Sequence, residues 1–187
     1  NEDWSASAPE SLVGGHVVRG NTFRYCGIEG IGGTGTPNGI QDVLVERNLF
    51  EWVGWQDAAR MSESAGMKLH HARNLLFRNN VVRHIRYGNG VWLDIANANC
   101  RLTGNVFADI PGTVNPHAVH IEGSHVQNQV DNNIFYKLRA GLLIRDSNNV
   151  IVAQNLFIDC EDAGVTSTSG LGGPRPIMGH TNDGRGN

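Results

Sequence analysis

Cysteine is scarce: Cys26, Cys100 and Cys160 are the only three in 187 residues. An odd count without close pairs gives no disulfide framework. Neither sign of charge dominates, the formal net charge being −3. That balance lacks the electrostatic footprint of a nucleic-acid or anionic-membrane binder, so neither partner is expected. No apolar run approaches the roughly 20 residues needed to cross a bilayer as a helix. Sustained helical periodicity is missing as well. No signal-like segment opens the chain; a secreted or periplasmic location is expected, with the cytoplasm as the alternative.

What is abundant is glycine, at 24 residues, together with asparagine-rich turns. Both point to short strands and frequent corners. The chain length suits one domain with a sizeable core. The decisive signal is a repeat. A tripeptide of Asn, any residue, then Phe or Val recurs in one common register at Asn21, Asn48, Asn80, Asn105, Asn133 and Asn155. Three positions before each Asn stands an apolar residue: Val18, Val45, Phe77, Leu102, Val130 or Val152. Five positions after it stands another: Cys26, Val53, Ile85, Ile110, Leu138 or Cys160.

A shared register through six repeats predicts an all-β fold, a right-handed parallel β-helix of about six coils. Equivalent residues then stack about 4.8 Å apart. The Asn series becomes an internal ladder of amides and the Phe series an internal stack. Cys26 and Cys160 share one register five coils apart, on the order of 24 Å, too far to bridge. The three cysteines are read as small core residues. The domain boundaries expected are a lead-in over 1–13, the β-helix over 14–169 and a glycine-rich tail over 170–187. Loop excesses are expected from Gly32 to Gly39, after Glu51 through Trp52, Trp55 and Asp57, and from Pro111 to His117. In a solenoid such insertions gather on one face. Trp52 and Trp55 are therefore expected to wall a groove and stack on sugar rings.

A second pattern recurs within the coils: Gly66 to His70, Gly90 to Asp94, Ala118 to Glu122, Gly141 to Arg145 and Gly164 to Thr168. Alternation puts Val91 and Leu93 inward, with Trp92 and Asp94 outward. Stacking then makes two outward columns. One runs Lys68, Trp92, His120, Leu143 and Thr166; the other runs His70, Asp94, Glu122, Arg145 and Thr168. An open sheet face carrying His70, Asp94, His120, Glu122 and Arg145 is the expected functional site.

Asp94 and Glu122 are the expected catalytic pair. Neighbouring coils place their carboxyl groups about 5 Å apart, the retaining-glycosidase separation rather than the wider inverting one. Two carboxylates that close do not both ionise easily, so one is expected to keep a proton and serve as acid. Stacked like charges are also unfavourable, which a purely structural ladder avoids. Lys68, His70, Trp92, His120, Arg145 and His125 are expected to contact the substrate. A divalent ion among His70, Asp94 and Glu122 is compatible with the ligand types, but no spacing demands one, and no cofactor is expected. Lyase or epimerase chemistry on uronates, with His120 or Lys68 as base, is the alternative on the same face. Lys68 and Arg145, three coils and about 14 Å apart, are poorly placed to share one sugar.

The stretches Ser64 to His70, Gly90 to Asp94, Ile121 to His125 and Val130 to Ile134 resemble the β-helix core of glycoside hydrolase family 120. The Trp-Leu-Asp strand, followed one coil later by Glu and an Asp-Asn-Asn corner, is the most specific part. The likeness covers roughly residues 40–136 and extends to related pectate-lyase-like β-helices. It implies a retaining β-xylosidase-like enzyme on an oligosaccharide or polysaccharide, with Asp94 as nucleophile, Glu122 as acid/base, and Lys68 or His70 at the sugar. His120 departs from it, since a bulky apolar residue is usual there; the family's chains are also longer. A non-catalytic carbohydrate-binding or structural β-helix remains the third expectation.

Overall fold

A computed structural model describes residues 13–34, 40–55, 63–112 and 116–169. The expected lead-in up to residue 12, Asp57 and the glycine-rich tail lie outside the described residues. Those described form strands, turns and bends with no helix. Every strand pairing is parallel. Parallel neighbours need a crossover between them, and here each crossover is the rest of one coil, so the chain is a parallel β-helix.

The faces differ in extent. A six-stranded sheet runs from Val17–Arg19 to Val150–Ala153, a short one joins Val13–Gly14, Ile40–Gln41 and Ala72–Arg73, and a longer sheet carries the columns. Val13 already pairs with Ile40, so the first coil starts at the edge of the expected lead-in. Gly32, Gly33 and Thr34 were expected to leave the coil; they pair with Lys68, Leu69 and His70 as strand. Glycine is the second residue of the strands Glu29–Thr34, Ala65–His70 and Asn89–Asp94, where the coils meet closely. A Cβ on Gly90 would lie 2.4 Å from the carbonyl oxygen of Ala118.

The Asn ladder is continuous. Each side-chain amide donates to the next coil's Oδ1, from Asn21 to Asn48 at 3.1 Å through Asn133 to Asn155 at 3.0 Å. The same oxygens accept the backbone N–H of the preceding ladder residue. Every corner amide is thereby satisfied inside the coil, where an unmet one would be expensive. The Phe stack runs beside it, Phe107 to Phe135 to Phe157 at 5.0 and 4.5 Å between ring centres. In the third coil Val82 replaces Phe, and Phe77 turns in beside Phe50 at 5.9 Å, tilted by 36°.

Two ladders outside the core are less visible in sequence. Glu46 sits between Arg19 and Arg78, and Glu51 between Arg24 and Arg83. Hydrogen bonds from those arginines hold both carboxyls below their ordinary range. Asp131 receives Arg101 through two hydrogen bonds, of 2.9 and 2.7 Å, and is lowered for the same reason.

Candidate functional site

The two expected columns form in register. Trp92 is flanked by Lys68 and His120, and His120 by Leu143; Asp94 is flanked by His70 and Glu122, and Glu122 by Arg145. Val91, Leu93, Val119 and Ile121 pack in the core, leaving the column residues on the other face. That face is not open, however. Lys68 and His120 are 2% exposed, Trp92 4%, Glu122 5% and Asp94 7%. The expectation of an open face is corrected: of the five charged or imidazole side chains expected there, only His70 and Arg145 reach solvent substantially, at 23% and 33%.

Burial makes partners necessary, since an unpaired charge out of water is expensive. Lys68 Nζ lies 3.1 Å from Asp94 Oδ2, 2.6 Å from Glu63 Oε2 and 3.8 Å from the centre of the Trp92 ring. His70 Nε2 is 3.5 Å from Asp94 Oδ2. Glu122 Oε2 is 3.5 Å from His120 Nε2, and Glu122 Oε1 is 3.8 Å from Arg145 Nε. The two carboxylates stand side by side, each turned to its own basic partners.

Trp92 and His120 stack at 4.9 Å with 15° between their planes. Burial, with smaller contributions from His117, Arg145 and Lys68, pushes the His120 imidazole down to about 3. It is uncharged at neutral pH, so its contact with Glu122 is not an ion pair. Burial likewise takes His117 down to about 4. Both ring nitrogens of His120 and the indole N–H of Trp92 are buried without a hydrogen-bond partner. Such groups are rare, and here they lie beneath the covered face.

The remaining sequence candidates lie elsewhere. His125 is exposed past the turn that ends the Glu122 strand. Trp52 and Trp55, expected beside the charged columns, sit at another corner. Trp52 stacks on His84 at 4.7 Å, and the indole N–H of Trp55 donates to the carbonyl of Tyr25 at 2.8 Å. His84 and Arg86, which line a groove there, were missed by sequence reading. Their signal was their place: four residues after the ladder Asn every coil carries a polar or aromatic residue, and six after it Arg139 and Glu161 match Arg86.

The sequence pattern of the family described as "Periplasmic copper-binding protein (NosD)" matches residues 53–170, more than half of the chain. The chain belongs to the NosD family. Membership agrees with the coiled parallel strands and with a location outside the cytoplasm, in the periplasm. No curated protein and no solved structure gives a significant match to the chain. The family found is thus NosD and not glycoside hydrolase 120, whose likeness rests on the short stretches quoted above.

Copper in the NosD description calls for a donor set, typically imidazole, thiolate or thioether. Among the described residues no three His, Cys, Asp or Glu side chains converge as ligands. Cys100 and Met67 are buried in the core, and burial raises the Cys100 thiol to about 12. His117 and His120, with ring centres 5.7 Å apart, supply two imidazoles. These side chains do not fit a copper centre of three or more such ligands, and no step below runs through copper.

Proposed function

We propose that this NosD-family chain is a carbohydrate-active protein, a retaining glycoside hydrolase acting on an oligosaccharide or polysaccharide. The observation that carries the reading is the pairing of Asp94 with Glu122 on adjacent parallel strands, on one buried face. Strand spacing of about 4.8 Å suits double displacement, for which about 5–5.5 Å between carboxyl groups is usual.

In that reaction Asp94 attacks the anomeric carbon while Glu122 gives its proton to the departing glycosidic oxygen, so the C–O bond breaks as the glycosyl ester forms. Glu122, now a carboxylate, takes a proton from water, which displaces Asp94 and releases the sugar with its original configuration. Lys68 and His70 hold the Asp94 carboxylate in place. Trp92, with neutral His120 stacked against it, forms the packed floor behind the two carboxylates. The uronate-lyase alternative is weaker, because an imidazole pushed down to about 3 is a feeble base.

A second reading, non-catalytic carbohydrate binding, draws on one observation: both carboxylates already have basic partners. One panel separates the three. Release of nitrophenol from nitrophenyl glycosides supports the hydrolase, and new ultraviolet absorbance on uronate polymers supports the lyase. Sugar binding with neither signal leaves the non-catalytic reading.

A further inference from the structure

A groove runs along a different corner of the stack. Every coil turns there through one residue in left-handed backbone: Tyr25, Trp52, His84, Asp109, Lys137 and Asp159, with φ between 50° and 57°. None is glycine, although glycine adopts this conformation at no steric cost. All of them but Tyr25 help to line two hollows of about 440 Å3 and 360 Å3, which share Pro111 and Lys137. Trp52, His84, Arg86 and Asp109 wall the first; Arg139, Asp159 and Glu161 wall the second.

We propose that this groove is a second carbohydrate site, holding a neutral polysaccharide chain along the axis of the stack. Trp52 is 39% exposed yet held flat against His84, so an aromatic face is presented already oriented. Such a face suits the apolar side of a sugar ring, and its fixed position reduces the entropy lost on binding. Beyond it cations and carboxylates intermingle: Arg86, Lys137 and Arg139 against Asp109, Asp159 and Glu161. That balance gives no net pull on a polyanion but offers both donors and acceptors to hydroxyl groups. Trp52 and Asp159 stand four coils apart, about 19 Å, room for several linked sugars.

The groove is distinct from the carboxylate face. Arg139 and Arg145 lie on one strand six residues apart, about 20 Å along it. Its use, holding a polymer near the site that cuts it, rests on the hydrolase reading; the binding itself does not.

The test uses Asp94→Asn protein, so that the polymer stays intact, with xylan, mannan and glucan as neutral probes and polygalacturonate as an anionic one. Affinity electrophoresis should show retardation by a neutral polymer. Trp52→Ala and Arg86→Ala in that background should each weaken it about tenfold or more, with melting kept within a few degrees. Arg86 is exposed, so its variant serves if Trp52→Ala fails to fold. Retardation unchanged in Arg86→Ala, no retardation by any neutral polymer, or stronger retardation by polygalacturonate would each overturn the proposal. Polymer binding that depends on Trp52 or Arg86, in a protein inactive on every nitrophenyl glycoside, removes the hydrolase and keeps the groove. Hydrolysis with no such binding does the reverse.

Discussion

Two charged columns on the outside of the same stack follow opposite rules. In one, Glu51 lies between Arg24 and Arg83, so sign alternates at every coil and both carboxylate oxygens are engaged. In the other, Asp94 and Glu122 are neighbours of like sign, and their basic partners stand at the ends. In the Arg24–Glu51–Arg83 ladder the carboxylate is buried but both arginines stay about half exposed, so the cations keep their water and each pair contributes modestly. The Asp94–Glu122 column is buried along with Lys68 and His120, where desolvation is costly. The first arrangement is what stability alone favours. The second accepts a less favourable order of charges and leaves polar nitrogens unpaired, and the proposed function rests on that difference.

The largest expected contrast comes from making one change in both columns. Glu122→Gln should lower turnover on poor leaving groups by about 10²–10⁴-fold, the scale of general acid catalysis, while melting stays level or rises as like charges are relieved. Glu51→Gln should leave turnover intact and lower melting by a few degrees, for a loss of about 1 kcal/mol. Glycosidase kinetics and thermal melts on the two variants check the pair. Equal stability losses with no difference in turnover would abolish the distinction.

Breaking the shared scaffold should cost less in rate and more in stability. Asn105→Ala strands buried corner groups of its neighbours and should destabilise by about 1–3 kcal/mol. Melting would then fall by several degrees. Melting within a degree of wild type would mean that the amides are not a ladder.

Acid sharpens the contrast by the smallest effect. Glu46, Glu51 and Asp131 are held below their ordinary values by arginine hydrogen bonds. A depressed folded value means stability present above the unfolded carboxylate range, near pH 4, and lost as pH falls through the folded values. Urea unfolding from pH 6 to pH 2 should show that decline, shallower in Glu51→Gln. Parallel curves for the two proteins would remove the ladder from the acid response.

Much of this was legible because a solenoid turns sequence register into spatial register. The Asn and Phe series and both columns follow from equivalent positions stacking, so Asp94 beside Glu122 needed no structure. Burial was not legible: alternation gives the direction of Lys68 and His120, but not whether anything covers them. The Arg–Glu ladders escaped because charges two or three residues from the Asn motif look like ordinary surface. Trp52 was recognised as a groove residue but assigned to the wrong groove, since chain order alone does not say which corner an insertion faces.

The central claim is covalent attack by Asp94, and trapping the ester tests it most directly. Glu122→Gln protein mixed with a panel of dinitrophenyl glycosides should release dinitrophenol in a burst and then nearly stop. Intact and peptide mass spectrometry should find one glycosyl unit on the peptide carrying Asp94, removed by added azide as a sugar azide of retained configuration. A glycosyl unit on another residue, release of dinitrophenol with an inverted sugar, or no release from any member of the panel would contradict it.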